Sequence, residues 1–245
     1  MYKFLSQTYS NKFAVPSLPP PETFKAASIL ITGASGGLGL AAAVHFVNLG
    51  ASSVTITARS KAKGEAARAV IEAQTGTRGK DIVDVMELQM DTLASVREFA
   101  DRLTGEKGRK KPDYVLLNAG VLNRAWREGK GGFEESIQIN VLSTALLGLL
   151  LLPWLREGFG ERRLVFVTSG THRSVAIDGW PREDVLGYLS RKENWPKEGI
   201  YGTNKLLEQY VVNEIAKLVA VGSEGKAKVI VNPMCPGTKC SNPLS

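Results

Sequence analysis

Tyr201 and Lys205 lie four residues apart, so on a helix they share one face. A free tyrosine ionises near pH ~10 and is a poor acid or base at neutrality. A neighbouring ammonium stabilises the phenolate, lowers that value and poises the hydroxyl for proton transfer. The pair is common on helix surfaces and gains meaning only from its surroundings. A second kind of chemistry belongs to Thr32-Gly33-Ala34-Ser35-Gly36-Gly37-Leu38-Gly39. Glycines let a backbone turn sharply and approach a phosphate, and a following helix offers unpaired N–H groups and the positive end of its dipole. Adjacent Gly36 and Gly37 satisfy both TGxxxGxG and TGxxGxxG, while Ser35 rules out GxGxxG. Alone, the turn indicates a bound phosphate and leaves the class open.

The elements that must position these residues can be read from hydrophobic period. Residues 26–32, with Ile29-Leu30-Ile31, read as a buried strand feeding the glycine turn, and residues 37–49 as a helix stopped by Gly50. Strands are then expected at residues 53–58, 81–90, 114–118, 163–169 and 228–232. Helices are expected at residues 62–74, 93–103, 134–152 and 202–221. Strands alternating with helices of this length imply an α/β fold, a three-layer αβα sandwich around a mostly parallel sheet. Residues 1–25, with Pro16, Pro19, Pro20 and Pro21, read as an N-terminal arm, and residues 26–245 as one Rossmann-type domain.

Further signatures lie at strand ends and on the helices: Asn118-Ala119-Gly120 after the fourth strand, Val167-Thr168-Ser169 ending the fifth, and Tyr201-Gly202-Thr203-Asn204-Lys205 opening the last long helix. Together with TGxxxGxG, and in this order, they resemble the classical short-chain dehydrogenase/reductase family over residues 26–241. Leu206-Leu207-Glu208 after the lysine is most similar to members common in fungal secondary metabolism. The resemblance implies hydride transfer between a nicotinamide and a carbonyl or alcohol. Tyr201 would move the proton, Ser169 polarise the carbonyl oxygen, and Lys205 tune Tyr201 and hold the nicotinamide ribose. Asn140 would anchor a relay water. Gly33, Ser35, Gly37, Leu38 and Gly39 would cradle the pyrophosphate. Asn118, Ala119 and Gly120 would line the adenine-ribose side, Asp91 would bond the adenine amino group, and Gly237 with Thr238 would contact the carboxamide. Ser241 stands where the family usually has threonine.

Nicotinamide sites for the unphosphorylated cofactor place a carboxylate near the end of the second strand. Here that strand ends Ala58-Arg59-Ser60-Lys61, with no carboxylate until Glu65. Arg59 can pair bidentately with a ribose 2′-phosphate and Lys61 can add charge, so the resemblance implies NADP(H).

Composition narrows the alternatives. The formal charge is +7, part of it in the run Lys107, Arg109, Lys110 and Lys111, which reads as a solvated loop rather than a nucleic-acid patch because no aromatic residues interleave it. Cys235, Cys240, His45 and His172 are too few for a disulfide framework and lack zinc spacing, so no metal is expected. His172 follows Ser169 closely, but no G-x-S-x-G elbow accompanies it, and a loop histidine is expected. The longest apolar run, residues 141–152, is 12 residues where a spanning helix needs about 20, and residues 1–25 have no apolar signal core. A cytoplasmic protein with no membrane span is expected, and the long helices permit the homodimer or homotetramer that the resemblance implies.

Two features depart from the family. Ser169 and Tyr201 are separated by an insert carrying Trp180, Pro181, Trp195 and Pro196, with a short helix expected around residues 182–191. A long loop with aromatics between two such residues is expected to border a pocket for a fairly apolar substrate. The chain also ends at Ser245, so the family's last strand is expected to be missing. Two functions therefore stand side by side: an active reductase or alcohol dehydrogenase, and a non-catalytic or truncated NADP-binding protein. An extended-type epimerase or dehydratase is disfavoured by Arg59.

Overall fold

The computed structural model describes residues 17–158, 160–220 and 228–237. Six strands form one sheet: β1 (Ser28–Ile31), β2 (Ser53–Ala58), β3 (Val83–Glu87), β4 (Tyr114–Leu117), β5 (Glu161–Val167) and β6 (Lys228–Met234). Their order across the sheet is β3-β2-β1-β4-β5-β6, and all five pairings are parallel. Between them run α1 (Gly37–Asn48), α2 (Lys61–Thr75), α3 (Leu93–Gly105), a long helix α4 (Glu135–Arg156), the short α5 (Val185–Ser190) and α6 (Ile200–Ala220).

Why two layers of helix are needed is visible in β1, whose four residues are all buried. Successive strand side chains point to opposite faces. Leu30 joins Phe99 of α3, Leu147, Leu151 and Leu155 of α4, and Val212 and Ile215 of α6. Ile29 and Ile31 join Ala43 and Val47 of α1 and Ala67 and Ile71 of α2 on the other side. Short apolar strands with no polar alternation thus find cover on both faces, and the three-layer Rossmann-type sandwich read from the sequence is the observed architecture. The order 3-2-1-4-5-6 puts a crevice at the C-terminal ends of β1 and β4, where successive crossovers leave in opposite directions and where such sheets bind ligands.

Several boundaries move. The third strand is Val83–Glu87 rather than residues 81–90, and the fifth starts at Glu161, where register with Lys228 of β6 begins. The fourth helix extends to Arg156 and contains a π-helical turn, Gln138–Ser143. By length and composition its 22 residues could cross a membrane, but 61% of its apolar window is buried inside the protein, as in a core helix. The last helix begins at Ile200 rather than residue 202, and Val221 lies outside the described residues. The expected short helix is Val185–Ser190.

The basic run near residue 109 is not simply solvated. Arg109 keeps only 17% of its side chain exposed, bonding Asp84 at 3.0 Å and Glu106 at 2.5 Å, while Lys110 donates to the Ala26 carbonyl at 2.6 Å. These charges tie the α3–β4 connection to β3 and to the entry of β1. The end of the arm docks nearby: Phe24 meets Phe46 and Tyr114 edge-on, with centroids 4.7 and 5.2 Å apart. The first sixteen residues of the arm lie outside the described residues.

Candidate active site

The glycine turn is built by contacts from the neighbouring strand. Buried Thr32 receives hydrogen bonds on Oγ1 from the Asn118 and Ala119 amides, at 2.9 and 3.0 Å. Asn118 Nδ2 donates back to the Thr32 and Gly33 carbonyls, at 3.0 and 3.3 Å. Asn118 and Ala119 are therefore fastened to the turn, and Gly33 pays for that closeness with a left-handed φ of +67° and no room for a side chain: a Cβ would stand 2.7 Å from Ala119 Cα. Gly39 is equally confined, its Cβ position being 2.6 Å from Asn118 Nδ2 and 2.8 Å from the Gly33 carbonyl oxygen. Gly37, at φ +56°, and Gly36 face open space instead.

That space lies in front of an uncapped helix. The Ser60 hydroxyl accepts from the Lys63 amide at the start of α2, and Thr92 does the same for Ser95 in α3. At α1 the cap position is Gly36, which has no side chain to accept anything, and the first turn carries no acidic residue. Free N–H groups and a dipole end, unopposed by a carboxylate, suit an anion. Ser35 and Leu38 are exposed at this mouth, and Arg59 is exposed after β2, its own carbonyl held by Gln89. The residues present fit a dinucleotide carrying an extra phosphate.

Across the crevice, β5 and α6 bring together the residues suited to proton transfer. Lys205 is buried and donates from Nζ to the Val167 carbonyl at 2.6 Å, two residues before Ser169. Its ammonium lies 5.9 Å from the centroid of the Tyr201 ring. Gly202 lets the turn after Ser169 pack against α6, for a Cβ there would meet the Thr171 carbonyl oxygen at 3.3 Å. Ser169 Oγ accepts from the Thr171 amide and hydroxyl, at 3.4 and 3.1 Å, and its own hydrogen has no acceptor among the described residues. His172 sits in a 3-10 turn with Nδ1 2.6 Å from the Ser169 carbonyl oxygen, a loop histidine as expected.

Asn140 occupies the π turn of α4. Both ends of its amide are used: Oδ1 accepts from the Val121 amide and Nδ2 donates to the Val121 carbonyl, each at 2.8 Å. A Cβ on Gly120 would stand 3.1 Å from Asn140 Oδ1, so the glycine permits this lock. The side chain thus braces the β4 exit. Helical registry cannot reveal a π turn, which adds one residue to the cycle and marks functional sites in many helices. Asp91 is also engaged: Lys130 of the loop before α4 reaches it at 2.6 Å, so its carboxylate is paired rather than free. Gly237 is exposed after β6, while Thr238, Cys240 and Ser241 lie outside the described residues.

The sequence reading missed two features. Glu208, on the next turn of α6 after Lys205, pairs with the Lys205 ammonium at 2.7 Å. Burial raises its carboxyl above the ordinary carboxylate range, and the Lys205 charge and hydrogen bond oppose that. A glutamate three residues past the lysine was the available signal. The second is a buried polar chain at the start of α4: the Glu134 carboxylate accepts from the Ser136 hydroxyl at 2.5 Å, and Ser136 in turn accepts from Asn204 Nδ2 at 2.7 Å. It locks the first turn of α6, which bears Tyr201, to α4. The insert folds against the same corner, with Leu189, Trp180 and Trp195 packed around Ile137 and Ile200.

A family model described as short chain dehydrogenase matches residues 27–179. The chain is 37% identical over 228 residues to the short-chain dehydrogenase/reductase ffsI of Aspergillus flavipes, covering 90% of this chain and 64% of that protein. It is 34% identical over 241 residues to the short chain dehydrogenase atnD of Emericella nidulans, covering 96% and 74%. The chain thus spans roughly two thirds to three quarters of these fungal relatives' lengths. Among solved structures, a chain from Escherichia coli CFT073 crystallised with NADPH superposes with a TM-score of 0.63 at 24% identity, over 89% of this chain and 79% of that one, a likeness of fold.

Proposed function

Since the chain belongs to the short chain dehydrogenase family, we propose that it is an NADP(H)-dependent oxidoreductase interconverting a carbonyl and an alcohol on a small, fairly apolar molecule. The observation that carries this reading is the buried Lys205 ammonium, anchored to the end of β5 and 5.9 Å from the Tyr201 ring. A positive charge held there can stabilise charge developing on the Tyr201 oxygen as it gives a proton to a carbonyl oxygen or takes one from an alcohol.

The bound nicotinamide would supply or accept the hydride. Gly33, Ser35, Gly37, Leu38, Gly39 and the uncapped start of α1 would hold the pyrophosphate, and Arg59 a 2′-phosphate, no carboxylate following it in sequence until Glu65. Asn118, Ala119 and Gly120 would line the adenosine side, joined by Asp91 once Lys130 lets go of its carboxylate. Gly237 and Thr238 would face the carboxamide. Ser169, with its hydroxyl hydrogen free, would donate to the carbonyl oxygen and stabilise charge developing there. Lys205 would bond the nicotinamide ribose with its remaining N–H. Asn140 would serve the relay through its main chain, its side chain being committed to Val121. Apolar walls from the insert and from exposed Leu122 and Ile177 support an apolar substrate. The fungal relatives support a place in secondary metabolism.

The test is NADPH oxidation against a panel of aliphatic and aromatic ketones, with wild type and Tyr201→Phe, and NADPH binding followed by fluorescence. Turnover by wild type alone, with binding retained in both, is expected. Equal rates would remove Tyr201 from the chemistry, and absence of NADPH binding in both would overturn the cofactor as well.

A further inference from the structure

Lys205 faces Tyr201 on one turn of α6 and pairs with a charged neighbour on the next. The Glu208 carboxylate is 2.7 Å from Nζ, and the two side chains keep 3% and 9% of their surface exposed. An ammonium has three donors. One goes to the Val167 carbonyl at 2.6 Å and one to Glu208, which leaves a single N–H uncommitted among the described residues. Without Glu208 the four-carbon stem could swing between rotamers, and its charge would reach Tyr201 undiminished.

We propose that Glu208 is a positioning residue for the proton-transfer pair: its buried carboxylate fixes the Lys205 ammonium against the end of β5 and offsets part of the positive charge that Tyr201 feels. The inference rests on the reading of Tyr201 and Lys205 given above.

Several other ionisable groups on the elements packed against this stretch of α6 have partners elsewhere. Glu134 bonds Ser136, and Glu135 bonds Asn123 and faces Arg127. His172 bonds the Ser169 carbonyl, and the Cys235 thiol accepts from the Gly170 amide at 3.2 Å. Arg173 is exposed in the same 3-10 turn. Arg156 ends α4, and Lys228, facing Glu161, starts β6 at the other end of the sheet. Among the described residues, Glu208 is the one charged group that bonds the Lys205 ammonium. A single charged contact in a site this dry acts with little screening.

The test reads Tyr201 directly in the cofactor-free protein. Tyrosinate absorbance is titrated for wild type, Glu208→Gln and Lys205→Met, each corrected by the same protein carrying Tyr201→Phe. Glu208→Gln keeps the shape and an acceptor while removing the charge. Its Tyr201 midpoint is expected to lie below that of wild type, and that of Lys205→Met above it. The alkaline limb of ketone reduction should move with it, with the fall in kcat larger than any change in KM for NADPH. A purely structural role would lower thermal stability and leave the midpoint where wild type has it, which overturns the proposal. If Lys205→Met also leaves the midpoint unmoved, the lysine–tyrosine reading itself fails, and the two failures are distinguished. Should Glu208→Gln not fold, Glu208→Asp draws the carboxylate back by one methylene: a displaced Tyr201 midpoint supports the proposal, and coincidence with wild type overturns it.

Discussion

Gly33 and Gly37 both adopt left-handed backbone in one turn, yet they should respond differently to the same methyl group. Alanine in that conformation costs about 1–2 kcal/mol at either position. At Gly37 nothing else is met, because the Cβ position has no atom within 4 Å. At Gly33 the methyl would stand 2.7 Å from Ala119 Cα and 3.2 Å from the Ala119 amide nitrogen. Carbon contacts settle at about 3.5–4.0 Å, so the ends of β1 and β4 would have to part by roughly 1 Å. That movement strains the bonds that Thr32 Oγ1 receives from Asn118 and Ala119. Overpacking of this kind adds about 1–3 kcal/mol. Gly33→Ala is thus expected to lose about 3 kcal/mol in all, a fall in Tm of about 6–12 °C for a chain of this size, against about 2–8 °C for Gly37→Ala. Ligand binding should rank them the other way relative to stability. The Gly37 methyl projects into the space in front of α1, so saturating NADPH, which at about 100 times its Kd should add about 2.7 kcal/mol to wild type, should stabilise Gly37→Ala far less. Thermal scans of the three proteins with and without NADPH decide the matter. Equal losses of Tm in the two variants would refute the steric argument, and a full NADPH shift in Gly37→Ala would refute the cradle.

Arg59→Asp should lower the ratio of NADPH to NADH use by about 10- to 100-fold, the worth of one or two charge-assisted bonds to a phosphate, measured by kcat/KM with each cofactor. Gly148→Ala replaces a helix-interior glycine, which by propensity alone would gain about 1 kcal/mol. Its methyl would lie 2.8 Å from Phe166 Cζ and 3.4 Å from Leu117 Cδ1, so overpacking of about 1–3 kcal/mol is expected to cancel that gain and leave a net loss of up to about 2 kcal/mol by denaturant titration. Glu208 gives a pH signature. Its carboxyl is raised by burial, with Lys205 opposing, so the folded state keeps this proton to higher pH than the unfolded chain does. Stability from that site is present below the ordinary carboxylate pKa and is lost as pH rises through the raised value. Wild type should therefore lose stability relative to Glu208→Gln on going from about pH 4 upward, and a pH-independent difference would remove this linkage.

The local motifs were readable because they are local. Strand and helix succession follows from periods of two and 3.6, and the glycine turn needs only its own eight residues to show where a backbone can approach a phosphate. Tyr201 and Lys205 could be paired because four residues on a helix fix their face. Asn118 and Ser169 could be placed because strand ends in a parallel sheet gather at one edge. The resemblance added roles that spacing alone does not carry.

What the chain's order could not disclose are contacts decided by burial between distant segments. The π turn at Gln138–Ser143 carries Asn140, whose side chain finds both backbone groups of Val121, nineteen residues back in the chain. Asp91 meets Lys130 only because the loop before α4 folds over the end of β3. Arg109 leaves an apparently solvated run because Asp84 and Glu106 converge on it. Glu208 is the sharpest case: its spacing from Lys205 was in view, but on an exposed helix face that pair would be worth a few tenths of a kcal/mol. Packing of α6 against β6, α4 and the turn after β5 removes the water that would screen it. The sequence by itself determined which groups could do chemistry and the order of the elements that carry them. Tertiary structure decided which charges are desolvated together, and hence how strongly each acts on its neighbour, because that depends on the low-dielectric surroundings that only the assembled layers create.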